Sequence, residues 1–350
     1  MQIYLYLPIP LLLIIYLFLI YFFPINLRTT NFNYNLNDFH LISSRKTFSD
    51  YPGYNNLILN YNGSCGKIFK YPKNSNRDIV IFSYKYFNIK KELMMLNLIP
   101  KIIDSFKNGI PNARLICFIP KQNKYTLVSF LLSYYKLEII YFEDYIDYSI
   151  VLSRFLIIKE YLINNKNKID RVLLSDLNDV FIFDDIFQTI SNDELTLFNN
   201  CLDYDTNKFC IKFGGEINNY NWLLDSYGEE ITKYFLKKNY TDICAGVIFG
   251  GINKIIQFLE EFTEKFDLNK KNLWGYDETL LNKMFYFNEF KVKINIEGCS
   301  QRNCMDSIDL LSNTRANIIV YKKDGCSPVM GHKTFPRSWR HKRNKKDELY

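Results

Sequence analysis

From Met1 to Leu27 the chain has no charged side chain. Within that stretch Ile3 to Pro24 is almost entirely apolar, and 22 residues rising about 1.5 Å each span roughly the 30 Å hydrocarbon core of a bilayer. The basic leader and the small-x-small cleavage site of a secretory signal are both missing, so residues 1–27 are expected to be an uncleaved transmembrane anchor, with a cleaved signal as the rival reading. Pro8 and Pro10 fall in its first turns, where a missing backbone donor is tolerated best. Histidine is scarce, with three in 350 residues (His40, His332, His341), and none of the spacings among the eight cysteines is that of a zinc site. No internal repeat is present. With 48% hydrophobic and 23% charged residues, the chain is globular rather than disordered.

The eight cysteines (65, 117, 201, 210, 244, 299, 304 and 326) are an even number that a lumenal domain could oxidise. Cys201–Cys210 and Cys299–Cys304 are the local pairs to test first, and Cys117, inside a strand-like run, is expected to be a buried thiol. Asn62-Gly-Ser64 and Asn239-Tyr-Thr241 are glycosylation acceptors in a lumenal setting. The formal charge of +7 is concentrated in the last fourteen residues, a basic tail read as solvated, with nucleic acid or anionic lipid as the rival contact. Lys346-Asp-Glu-Leu349 spells a retrieval signal, but Tyr350 follows it and that signal is read at a free carboxyl end.

Residues 28–76 are rich in Asn, Tyr, Ser and Gly without periodicity and are expected to form a stem. Strands are then expected at 78–84, 113–119, 137–142 and 172–174, alternating with helices at 96–106, 125–135 and 149–162. That alternation predicts an α/β fold, a Rossmann-like, mainly parallel sheet with flanking helices. Further on, strands are expected at 209–213, 243–251, 291–296 and 316–321, and helices at 220–238, 252–266 and 274–287. The domain so defined covers 77–340, with a basic tail at 341–350.

The stretch around which the domain is organised is Arg171 to Asp185. The buried-strand run Val172 to Leu174 stops at Ser175-Asp176-Leu177-Asn178-Asp179, and a second apolar run, Val180 to Phe183, follows at once. Carboxylates between two buried strands cost desolvation unless compensated, and a divalent cation compensates well. In parallel sheets ligands bind at the carboxyl ends of the strands, where this turn is placed. The rival reading is that Asp176 and Asp179 cap the following turn.

Taken in order, these segments resemble the GT-A class of nucleotide-sugar glycosyltransferases over about Asp78 to Trp339. The resemblance implies a metal-dependent transfer of sugar from a nucleotide-diphosphate donor to a hydroxyl of a glycan or protein acceptor. The acidic motif of that class is usually Asp-x-Asp, whereas Asp176-Leu177-Asn178 is followed by Asp179, so either Asn178 or Asp179 supplies the second contact to Mn²⁺ or Mg²⁺. His332 looks like the late histidine of the metal site, with Lys333 placed to meet the diphosphate. Ala245 and Gly246 resemble the small-residue strand lining the donor-sugar pocket. Asp277, and after it Glu278, in Trp274-Gly-Tyr-Asp-Glu278 look like the acidic residues facing the sugars, with an ordinary helix N-terminus as the rival. Arg154 matches a basic position turned toward the nucleotide, and Ser83 and Tyr84 end the first strand where base and ribose would sit. The same resemblance implies a single-pass membrane protein of the Golgi or endoplasmic reticulum with a lumenal domain, and no nucleic-acid partner. Two other classes compete. A metal-dependent phosphoryl-transfer or nuclease enzyme needs further carboxylates at other strand ends for a second metal, and a non-catalytic lumenal sugar-binding protein on the same scaffold needs none.

Overall fold

The computed structural model describes residues 58–143, 149–200, 212–213, 217–305, 318–319 and 326–332. The expected anchor, the first part of the stem, Cys201, Cys210, Lys333 and the basic tail lie outside these residues. Among the described residues no helix is long and apolar enough to cross a membrane.

The architecture is mixed α/β around a seven-stranded sheet. Its strands are β2 (Asp78–Ser83), β3 (Arg114–Pro120), β4 (Glu138–Phe142), β5 (Arg171–Ser175), β7 (Leu195–Asn199), β8 (Ile243–Gly251) and β9 (Asn295–Glu297), in the order β4-β3-β2-β5-β8-β7-β9. All run the same way except β8, which is antiparallel to both β5 and β7. The central strands read as unbroken apolar runs because both faces are covered. Val80 and Phe82 of β2 point into one core, and Ile79 and Ile81 into the other.

Helices α1 (Ile89–Gly109) and α2 (Leu127–Tyr134) cover the first face, and α3 (Ile150–Asn165), α5 (Ile252–Glu264) and α6 (Tyr276–Tyr286) cover the second. Helix α4 (Ile217–Lys238) packs beside α6 and breaks its helical path at Gly228, where φ is 73°. Strands β2, β3 and β4 step outward in one direction, while β5 lies on the other side of β2. The order therefore reverses between β2 and β5, which opens a crevice at their carboxyl ends.

A second, three-stranded sheet supports that crevice. It pairs β10 (Asn303–Met305) with β12 (Met330–His332) and β12 with β6 (Val180–Ile182), the last pair antiparallel. A short parallel pair joins β1 (Ile58–Leu59) to β11 (Ile318–Ile319).

Several elements differ from the expectation. Helix α1 starts at Ile89 rather than 96, because the Asn88 side chain accepts from Lys91 N and caps a first turn whose polar residues hide the period. Strand β7 was not anticipated: Leu-Thr-Leu-Phe is fully buried, so its alternation is lost. Of the strand expected at 209–213, the described part is an isolated bridge from Lys212 to Thr241. The folded unit already includes residues from Ile58 onward, with Leu59 and Tyr61 in the core and Cys65 bonded to Cys326. Cys299 is also disulfide-bonded, and Cys117 is a buried free thiol as expected.

Candidate metal centre and the acidic helix beside it

Three elements bring the acidic turn together. Strand β5 ends at Ser175, and the next amide, Asp176 N, donates to Gly246 O on β8 at 2.8 Å, which fixes where the turn begins. Asp179 immediately precedes β6, and the antiparallel register sets Val180 opposite His332 on β12. Donor atoms of Asp176, Asp179 and His332 consequently lie within 4.8 Å of one another. The Asp179 Oδ1 to His332 Nε2 distance is 3.6 Å, and His332 is fully buried. The carboxylate that joins Asp176 is thus Asp179, while Asn178 sits half-buried on the turn between them.

Two neighbours shape this cluster. A Cβ on Gly246 would stand 2.4 Å from Asp176 Oδ2 and 3.1 Å from His332 Cε1, so only glycine leaves room for both side chains. Cys244, two residues earlier on the same face of β8, accepts from Gly246 N at 3.3 Å and has its Sγ 3.9 Å from His332 Nδ1. Its thiol helps to hold the imidazole orientation. Ala245 points the other way, into the core beneath α3. Period-two geometry therefore separates the two small residues that the sequence placed side by side.

Arg154 joins the cluster to a second acid. From α3 its Nη1 donates to Asp176 Oδ1 at 2.7 Å, and its Nη2 to Asp277 Oδ2 at 2.9 Å and to Ala245 O at 3.3 Å. Burial alone would lower the guanidinium pKa, but the charges of Asp176 and Asp277 outweigh it and hold the value up. The basic residue expected to turn toward a nucleotide is turned toward two carboxylates of its own chain.

Asp277 lies in the first turn of α6, behind Gly275 at φ 78°. A Cβ on Gly275 would collide with the Trp222 ring at 2.3 Å, so this cap serves close packing as well as the left-handed turn. Burial pushes the Asp277 carboxyl up to about 6, with Arg154 opposing that shift and Glu278 adding to it. Helix α6 is pinned to β8 through Asn282, which accepts from Ile243 N at 2.8 Å and donates to Ile243 O at 2.8 Å. Glu278, one residue on, is half-buried.

The remaining expected residues divide. Ser83 is half-buried at the carboxyl end of β2, on the α3 side of the sheet, whereas Tyr84 packs into the opposite core with its hydroxyl pKa raised by burial. The part Cys244 plays was not foreseen. Its signal was position, two residues before Gly246 in a strand.

The donor set suits a divalent cation. Two carboxylate oxygens and one imidazole nitrogen are ligands for Mn²⁺, Mg²⁺ or similar ions. Donors on opposite sides of such an ion stand roughly 4–5 Å apart, a separation that the cluster fits. Among the described residues, this is the one group of three such ligands that converges.

No family model matches the chain, and no curated protein sequence does. Among solved structures, it is similar to the crystal structure of the glycosyltransferase GlyE in Streptococcus pneumoniae TIGR4, with a TM-score of 0.37 and 16% sequence identity over 75% of this chain and 55% of that one. The chain thus spans about half the length of the protein it matches.

Proposed function

We propose that the protein is a metal-dependent glycosyltransferase that moves a sugar from a nucleotide-diphosphate donor to a hydroxyl of a glycan or protein acceptor. The observation that carries this reading is the convergence of Asp176, Asp179 and His332 in the crevice where the strand order reverses. Those three side chains would hold Mn²⁺ or Mg²⁺, which when bound supplies positive charge against a departing diphosphate.

The residues of the chain itself supply the rest. Arg154 fixes the Asp176 carboxylate and ties it to Asp277. Asp277, poised near 6, is suited to take a proton from an acceptor hydroxyl at neutral pH, or to stand ionised against positive charge on a sugar ring. Gly246 leaves the room in which the Asp176 and His332 side chains converge. Asn178, Glu278, Ser83 and Lys333 are proposed to complete contacts to metal, donor and acceptor, whereas Ala245, turned into the core beneath α3, takes no part. The Cys65–Cys326 disulfide supports placing the domain in the lumen of the Golgi or endoplasmic reticulum, tethered through Ile3 to Pro24.

The test is to incubate the full chain with Mn²⁺ and a panel of nucleotide sugars and to follow release of nucleoside diphosphate. Metal-dependent release that disappears in Asp176→Ala is the expected result. Metal-independent sugar binding without turnover would instead mark a binding protein and end the transferase reading.

A further inference from the structure

The fold treats the two glycosylation sequons, Asn62-Gly63-Ser64 and Asn239-Tyr240-Thr241, differently. Asn62, Gly63 and Ser64 are all exposed, at the start of a short 3-10 turn over Gly63–Ile68. The Asn62 side chain makes no capping bond to that turn, and its backbone is extended, with φ −80° and ψ 154°. A Cβ built on Gly63 would meet nothing within 4 Å. This sequon thus stands in open space, with its side-chain amide and its serine hydroxyl unengaged among the described residues.

The second sequon is built into the packing. Asn239 is exposed, but it follows α4 in the left-handed region at φ 53°, with its backbone amide donating to Leu236 O at 3.0 Å. The Tyr240 ring stacks on Tyr286 with centroids 3.9 Å apart. Thr241 Oγ1 accepts from Lys212 Nζ at 2.5 Å, and Thr241 O accepts from Tyr286 Oη at 2.5 Å. The hydroxyl by which a sequon is recognised is here already taken.

Chain order widens the difference, because an acceptor asparagine must be reached while its segment is still loose. The long-range bonds of Asn60, Tyr61 and Cys65 run to Gln301, Cys326, Ser327 and Pro328. Cys65 and Cys326 are 261 positions apart, so at 5–20 residues per second the first sequon waits roughly 13–50 s for the residues that fasten it. Thr241 waits only for Tyr286, 45 positions on, or about 2–9 s, and Lys212 precedes it in the chain. The first sequon stays available several times longer.

We propose that Asn62 carries an N-linked glycan and that Asn239 stays bare. The co-substrate is an oligosaccharide held on a lipid diphosphate. Asn62 Nδ2 forms a bond to the anomeric carbon, the bond from that carbon to the diphosphate oxygen breaks, the lipid diphosphate departs, and the amide nitrogen gives up one proton. The product is a bulky hydrated group on an exposed turn, next to the Cys65–Cys326 bond. The inference rests on the lumenal placement of the domain and not on the transferase reading.

The test expresses the full chain in eukaryotic cells, digests it with disulfides intact, treats the peptides with peptide N-glycosidase in heavy-oxygen water and maps them by mass spectrometry. Enzymatic release leaves a heavy-oxygen aspartate, which separates a glycan from earlier spontaneous deamidation. The label is expected at Asn62 and not at Asn239. On a gel, Asn62→Gln and Ser64→Ala should each abolish the glycosidase-sensitive shift of the native chain, and Asn239→Gln should leave it unchanged. A bare Asn62 would overturn the proposal, and so would a glycan on Asn239. The Cys65–Cys326 peptide in the same digest reports the compartment separately: a bare Asn62 beside the oxidised pair refutes the modification and leaves the lumenal placement standing.

Discussion

Gly246 and Asp176 are in contact in a way that no other residue at 246 would permit: a Cβ there would sit 2.4 Å from Asp176 Oδ2, while the Gly246 carbonyl holds the Asp176 amide at 2.8 Å. One residue thus anchors the acid's backbone and makes room for its carboxylate. Gly246→Ala should displace the carboxylate from the cluster. The expected cost is about 1–3 kcal/mol of stability from overpacking, together with weakening of divalent metal binding by about tenfold or more. Calorimetric titration with Mn²⁺ beside a urea melt separates the two effects. Unchanged metal affinity in a folded Gly246→Ala protein would show that the glycine matters only for packing.

Removing the donors themselves should give a different pattern. Adding Mn²⁺ is expected to raise the Tm of the native chain, since a ligand at about 100 times its Kd stabilises by roughly 2.7 kcal/mol. Asp179→Asn and His332→Ala should lose most of that increment. Cys244→Ala, which removes the thiol beside His332 Nδ1 and leaves the donors in place, should lose only part of it. An equal metal-induced rise in all four proteins would mean that the cation binds elsewhere.

How far this centre was legible in the sequence follows from how local each part is. The acidic turn and the nine-residue strand β8 could be read because a buried run ending in carboxylates, or punctuated by glycines, is written in consecutive letters. The parallel half of the sheet could be read from its alternating periods. The reversal of β8 could not, because strand direction depends on where the chain returns across space. The same limit hid the partners of Arg154, which the sequence had turned toward a nucleotide. Nothing in Ser-Arg-Phe states that its guanidinium spans residues 22 and 123 positions away.

That bridge sets the next expectation. Arg154 is largely buried between Asp176 and Asp277, so replacing it with Met leaves two carboxylates without their shared cation. Breaking a buried pair from one side costs about 3–5 kcal/mol. Arg154→Met combined with Asp277→Asn should recover part of this loss, because the second change removes one stranded charge. Chemical denaturation of the single and double variants gives the coupling directly, and strict additivity would rule the bridge out as an energetic unit.

Asp277 predicts a pH dependence with a definite sign. Its pKa is raised from an ordinary 3.8 to about 6 in the folded chain, chiefly by burial. The folded state therefore keeps a proton that the unfolded state releases, and this contribution to stability is full below 3.8 and declines as pH rises toward 6. A difference of that size corresponds to a few kcal/mol. In chelator-treated protein, Asp277→Asn should flatten the fall in stability between about pH 4 and 6. If Asp277 accepts a proton during turnover, kcat/KM should rise with pH through the same midpoint near 6. A native chain whose stability is level across that window would contradict the assignment.

The disulfide makes the last prediction, because it reaches the metal centre through the backbone. Cys65 and Cys326 are 261 positions apart, and around the bond Asn60 and Ser327 exchange two hydrogen bonds while Tyr61 Oη donates to Pro328 O at 2.6 Å. Residues 326–329 lead directly into β12, which ends at His332 and is held between β6 and β10. Cys65→Ser with Cys326→Ser should then cost about 2–5 kcal/mol of stability and also weaken Mn²⁺ binding, since the strand that presents the imidazole loses its covalent tie. Reduction with dithiothreitol should reproduce both effects in the native chain. Loss of stability with metal affinity intact would show that pairing with β6 and β10 alone positions His332. Loss of both would make metal binding depend on an oxidising compartment, which is where a lumenal transferase would work.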